Sequence, residues 1–325
     1  MSRVLLHRLA AAGPLLLAVS LVCFLLLHLA PGTFIDRLRV DPQISPAALQ
    51  ALEKSLRLDR SWPEQYLAWL LAALSGDLGI SLVYQRPVTA LLGEGARYTC
   101  ALVAVAALAS WLSGLALAIV AALQPGGRLD GALVGFALAA LSVPILVLAV
   151  VALGLAAATG VLPLGAASSS QVGELGWSER FADFFHHLVL PAAVLTGSLL
   201  PLFFLQARGA ILEETPSGFV RAARARGLSS TRVLVGHALP AALAPLVAVA
   251  ASSLPRLLNG ALLVESVMGW PGVGRLALQG LSAKDPFLLL GVFAFVAVLL
   301  LTGNLFSDLL LAAVNPRVRL EERPS

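Results

Sequence analysis

Apolar residues run almost unbroken through six stretches of the chain, roughly 10–30, 99–123, 132–157, 186–207, 239–265 and 287–313. The hydrocarbon core of a bilayer needs about 20 such residues in a helix. Each stretch meets that length, and the pattern predicts an all-α membrane protein with six transmembrane helices. The polar segments 31–98, 124–131, 158–185, 208–238 and 266–286 separate them. Prolines fall inside several predicted spans, at Pro144, Pro191, Pro201, Pro245 and Pro255. Membrane helices tolerate them because neighbouring groups re-satisfy the freed carbonyls.

Composition sharpens the membrane reading. Only 12% of residues are charged and 58% are hydrophobic, with a mean hydropathy of +0.89. A soluble domain carries roughly 25% charged residues. Arg3 and Arg8 followed by an apolar run imitate a signal peptide. That run is long for one and no small-x-small cleavage site follows, so a retained first span is expected. Cys23 and Cys100 lie in or beside apolar runs and read as buried small side chains. No spacing of cysteine or histidine suits a metal.

Arginine sets the orientation. The start, the segments 124–131 and 208–238 and the tail hold Arg3, Arg8, Arg128, Arg208, Arg221, Arg224, Arg226, Arg232, Arg317, Arg319 and Arg323. The segment 158–185 has Arg180 against Glu174, Glu179 and Asp183. Both termini are therefore expected on the cytoplasmic side of a plasma membrane. The long outer segment 31–98 carries two helix starts, Ser45-Pro46 and a capping box at Ser61 and Glu64. The stretch Tyr66 to Leu74 is either an interfacial helix, with Trp62 and Trp69 at the headgroup boundary, or a packed extracytoplasmic subdomain. The expected organisation is a first span and outer loop over 1–98, a five-helix core over 99–313 and a tail over 314–325.

The segment 208–238 is the most informative. Thr215-Pro216 opens a short helix in which Phe219, Val220 and Ala223 make a small apolar face. Arg221, Arg224 and Arg226 lie beside them, and Gly227 stops the helix. A second short helix is expected from Ser229 or Ser230 towards His237. Alanines at Ala222, Ala223 and Ala225 let another protein's surface come close.

The run Arg221 to Gly227, followed by His237-Ala238-Leu239-Pro240, resembles the cytoplasmic loop motif of ABC-importer permeases. Its form is similar to that of the oligopeptide, dipeptide and nickel subgroup. The likeness extends along the chain: Leu29 to Gly32, Ser75 to Ser81, Arg86 to Val88, Leu141 to Pro144, Val161 to Gly165, His187 to Ala192, Gly260 to Gly274 and Asn315 to Arg319. Departures occur at Arg221, where the general motif has glutamate, at Thr33-Phe34 and at Leu239-Pro240.

The resemblance implies a type I importer permease fold, with 216–227 as a coupling helix. Phe219, Arg221, Ala222, Ala223, Ala225 and Gly227 would meet a separate ATPase. It implies as partners a homologous second permease, two ABC ATPases and an extracytoplasmic substrate-binding protein, within membrane lipid; nucleic acid is not an expected partner. ATP and magnesium would be used by the ATPases, with no cofactor in this chain. Pro271 to Gly274 would form a tight outer turn near the surface where the binding protein docks. Peptides are the expected cargo, with nickel or another small solute as the alternative.

Nothing in the residues themselves supplies ATP chemistry. A phosphate-binding loop needs Gly-Lys-Ser/Thr, and the two lysines, Lys54 and Lys284, follow Glu53 and Ala283. No Ser/His/Asp set stands out, which disfavours a membrane enzyme. His186-His187 reads as a hydrogen-bonded pair rather than a metal site. Ionisable groups within spans are functional candidates. Arg256 and Asn259 lie on one face of span five near Ser252, Glu265 closes that span, and Asp308 lies in span six. Each either lines a substrate pathway or joins helices inside the bundle. A carrier driven by an ion gradient is the rival class. It would place ion ligands on broken helices and show an internal repeat, neither of which stands out.

Overall fold

The computed structural model describes residues 2–29, 34–39, 45, 47, 49, 54, 60–169, 173 and 176–314. The expected start at Pro46, most of the motif Leu29 to Gly32, the motif Asn315 to Arg319 and the tail beyond Val314 lie outside these residues. Every regular element among the described residues is helical. In chain order they are α1 (Ser2–Leu29), α2 (Phe34–Arg39), α3 (Trp62–Leu74), α4 (Val88–Leu123), α5 (Arg128–Leu141) and α6 (Ile145–Thr159). Then follow α7 (Trp177–Glu214), α8 (Gly218–Ala225), α9 (Ser230–Val233), a π-helical turn (Leu234–Ala238), α10 (Leu239–Met268), α11 (Val273–Ala283) and α12 (Pro286–Val314).

Four of these runs are long and apolar enough to cross a membrane: α4, α7, α9 through α10, and α12 up to Ser307. A fifth is added if α5 and α6 count as one. The apolar part of α1, Gly13–Leu29, is shorter. The span expected over 132–157 is not one straight helix: α5 and α6 are bent by 97° at their junction. The cause is Pro144. It has no N–H for the helix ladder and steers Val143 away from helical geometry. Pro144 itself is extended, with φ −61° and ψ 140°. Pro191 and Pro201 in α7, and Pro245 and Pro255 in α10, are by contrast carried inside continuous helices.

The chain forms two compact units. The first is built on Thr99–Trp270, with the chain from Thr302 onward. Here α7 packs on α5, α6 and α10, and α10 also packs on α6. A buried cluster of Ala118, Ala122, Ala137, Phe204, Ala207, Ile211 and Leu246 joins four of its helices. Small residues bring the backbones together, as they do where lipid gives no hydrophobic drive. A β-carbon on Gly114 would meet the Phe203 ring at 2.9 Å, and one on Gly260 would meet Leu195 at 2.9 Å. Two side-chain hydrogen bonds add to this: Trp111 Nε1 donates to Ser253 Oγ at 3.1 Å, and Ser307 Oγ to the Ala251 carbonyl at 2.6 Å.

The second unit is built on Leu6–Tyr98 and Pro271–Leu301. Ser61 does cap α3, but its side chain makes no cap hydrogen bond, so the reciprocal capping box expected there is not formed. Tyr66 of α3 packs edge-on against Phe24 of α1, ring centres 5.4 Å apart, and its hydroxyl lies 3.0 Å from Ser20 Oγ. Trp69 is buried, whereas Trp62, Leu67, Leu71 and Leu74 are exposed. Thus α3 has one face packed on protein and one apolar face open. Pro271 to Gly274, expected as a tight outer turn, opens a helix: Gly272 caps α11, which is 11 residues long.

Candidate functional site

The segment 208–238 folds as a helical hairpin. α7 continues past its apolar part to Glu214, and Ser217 in extended geometry begins α8. The helix therefore starts just after the expected Thr215-Pro216. It ends at Ala225 with Arg226 as its C-cap, and Gly227 follows at φ +78°, a left-handed turn that glycine makes without steric cost. Ser229 then caps α9, which passes into the π-helical turn and α10.

The hairpin has its own small core. Val220 and Ala223 are buried against Val233 and Ala238, with Leu228 packed beside them. The three-residue apolar face expected in the sequence is therefore divided. Val220 and Ala223 turn inward, and Phe219 is 48% exposed. Arg221, Ala222, Arg224, Ala225, Arg226 and Gly227 are exposed as well. The outward surface is one aromatic ring, two alanines and three arginines around a tight turn. Ser217 Oγ and His237 Nδ1 are buried with no hydrogen-bond partner among the described residues. Together with the π turn they mark this segment as locally irregular, a feature common at functional positions.

Leu234 ties the hairpin to the helices. It belongs to the same buried cluster as Ala207 and Ile211 of α7, Ala137 of α5 and Ala242 of α10. Beside that cluster sits a charge pair that the sequence reading counted only as loop charges. Arg208 Nε donates to Asp130 Oδ1 at 2.6 Å and Nη2 to Oδ2 at 2.7 Å. The Gly126 amide donates to Oδ2 at 2.7 Å. Asp130 is only 3% exposed. No sequence spacing links residues 130 and 208. Two opposite charges at the boundaries of different spans were the available signal.

The span candidates separate into two groups. Ser252, Arg256 and Asn259 are all exposed and lie at i, i+4 and i+7 on one face of α10. Glu265 is fully buried, on the opposite face with Leu257, Ala261 and Val264. Asp308 lies on α12, but its side chain is outside the described residues. His187 Nδ1 lies 2.8 Å from the Asp183 carbonyl, and His186 Nε2 lies 3.2 Å from the Val161 carbonyl. No group of three metal-ligating side chains occurs among the described residues.

The second unit holds a polar hub that the sequence did not announce. Asp285 is fully buried. It accepts Ser81 Oγ at 2.7 Å, the Val83 amide at 3.1 Å and the Leu288 amide at 3.1 Å. It thereby caps α12 and holds the tight turn in which Ile80 pairs with Pro87. Tyr84 in the same turn donates to Gln279 Oε1 of α11. Burial pushes the Tyr84 phenol up, against a smaller lowering by Arg275.

Four long apolar helices with a hairpin of exposed arginines between two of them are the build of a multi-pass membrane protein. The family model of the binding-protein-dependent transport system inner membrane component matches residues 114–320, and that family's N-terminal model matches residues 1–87. The chain belongs to this family. It is 31% identical to the dipeptide transport system permease protein DppB of Escherichia coli, over 98% of this chain and 99% of that protein. It is 28% identical to the oligopeptide transport system permease protein AppB of Bacillus subtilis, over 98% and 99%. It is 32% identical to the glutathione transport system permease protein GsiC of Pectobacterium atrosepticum, over 96% and 97%. In fold it resembles a chain of the MetNI methionine ABC transporter in an inward-facing conformation. The TM-score is 0.55 at 20% identity, covering 69% of this chain and 96% of that one.

Proposed function

We propose that this chain is one permease half of an ATP-driven importer of di- or oligopeptides. In this reading α8 is the coupling helix. Phe219, Arg221, Ala222 and Ala225 enter a groove on a separate ATPase, while Val220 and Ala223 hold the hairpin together and Gly227 turns it back. A second permease, two ATPases that use ATP and magnesium, and an extracytoplasmic binding protein complete the assembly. The chain crosses the plasma membrane six times, counting α1 and the bent pair α5–α6, with both termini in the cytoplasm. Closure of the ATPases pushes the hairpin, and the helices tilt so that a central route opens to alternate sides.

The observation that carries this reading is the hairpin itself. It spends its own apolar residues on an internal core, yet leaves a ring, two alanines and three arginines outward. The relatives' names support peptide cargo. The face of Ser252, Arg256 and Asn259 supports the route: a guanidinium about 18 Å below the outer end of α10 is costly against lipid and belongs against water or protein. Asp308 of α12 is a further candidate for the route, whereas Glu265, buried on the opposite face of α10, joins helices. Gentle purification of the tagged chain from its native membrane, with mass spectrometry of what accompanies it, tests the reading. Two ATPases and a second permease are expected. The chain alone, reproducibly, would shift the reading to an ion-driven carrier.

A further inference from the structure

We propose that the Asp130–Arg208 pair is a positioning clamp that makes α5 move with the coupling hairpin. The proposal rests on the reading of α8 as the coupling helix. The geometry is that of a fixed joint. The guanidinium meets the carboxylate with two nitrogens, at 2.6 and 2.7 Å, and planar two-point contact fixes direction as well as distance. The Gly126 amide holds the same carboxylate from its own turn at 2.7 Å. Asp130 therefore cannot swing without breaking the turn that starts α5.

The pair is placed to transmit motion. Arg208 lies on α7 directly after Ala207, and Ala207 shares a buried cluster with Leu234 of the hairpin. A push on the hairpin reaches this part of α7 through packed side chains. On the other side of the joint, α5 runs to Leu141 and then breaks by 97° at Ser142-Val143-Pro144. A helix clamped at one end and hinged at the other is a lever.

Stability alone explains the pair poorly. Removing an ion pair from water costs about as much as the attraction returns, and apolar pairs of similar size often serve better. Asp130 is 3% exposed and Arg208 24%, the first about two turns along α5 from Ala137 and the second next to Ala207 of the apolar cluster. What the charges add is a unique register between α5 and α7.

The test uses the assembled transporter in proteoliposomes, with Cys23 and Cys100 replaced by serine. Nitroxide labels are placed singly at Ser230→Cys on the hairpin and Phe136→Cys on α5, both exposed positions. ATP with vanadate is added and the spectra compared. Both labels are expected to respond in the parent. In Asp130→Asn the hairpin label should still respond and the α5 label should not. Should that variant fail to assemble, Arg208→Lys keeps the charge but loses the two-point contact, and the same loss is expected. A full α5 response in either variant overturns the clamp, as does an unresponsive α5 label in the parent beside a responsive hairpin. An unresponsive hairpin label in the parent overturns the reading of α8, and the clamp with it.

Discussion

Gly165 stands so close to Met268 that a β-carbon on the glycine would lie 2.8 Å from the Met268 carbonyl oxygen. Gly165 also sits at φ +85°. The loop after α6 thus rests directly on the end of α10, and both the space and the backbone angle demand glycine. Replacing Gly165 with alanine should lower stability by roughly 1–3 kcal/mol, the usual cost of a strained backbone position. Thermal unfolding in detergent checks this, and an unchanged midpoint would refute the close approach.

Asp285 carries a second prediction. Asp285→Ala leaves Ser81 Oγ and the amides of Val83 and Leu288 without their acceptor. Each abandoned donor costs about 1–3 kcal/mol. The turn at residues 75–87 should loosen, and limited proteolysis should cut there first. If proteolysis spares it and the thermal midpoint holds, Asp285 is not the organising group.

The hairpin separates two kinds of alanine. Ala222 is exposed and Ala223 is buried at 3%. Ala222→Glu should leave the protein in the membrane and abolish ATP-driven uptake, because it alters only the exposed face proposed to dock on the ATPase. Ala223→Glu should reduce the amount of folded protein, because it forces a carboxylate into the contact with Val220, Val233 and Ala238. Uptake assays beside quantitative blots make the comparison. Normal uptake by Ala222→Glu would remove that residue from the docking surface.

Much of this was legible in the chain. Apolar runs of bilayer length located α4, α7, α10 and α12, and alanine, arginine and glycine spacing located α8 and its stop. The failures share a physical cause. A helix break at Pro144 depends on which prolines the surroundings straighten, and Pro191, Pro201, Pro245 and Pro255 look the same in sequence yet stay inside helices. Partners distant in the chain, such as Asp130 with Arg208 or Ser81 with Asp285, leave no periodic trace. The division of Phe219 from Val220 and Ala223 needed the return of α9 and the π turn, which decides what the inner face covers.

Orientation has a direct check. Reporter fusions at Ser230 should report the cytoplasm, and fusions at Ser169 the outside. Ser169 lies in the segment after α6, where its amide is held by Asp183 at 2.8 Å. Reversed signals would invert the whole arrangement and place the hairpin beyond the reach of any ATPase.

The face of α10 gives the remaining prediction. In a chain lacking Cys23 and Cys100, cysteines at Ser252 and Asn259 should react with a membrane-impermeant thiol reagent once the assembled transporter opens to the reagent's side. Cysteine at Leu257, which is 1% exposed on the opposite face, should not. The argument turns on Arg256 between the two reactive positions. Its charge is not tolerated against hydrocarbon, so the face has either water or the second permease before it. Water gives labelling that depends on the nucleotide state, because alternating access wets the route from one side at a time. A permanent protein contact gives low labelling in every state, and that result would move Arg256 from the substrate route to the joint between the two permeases.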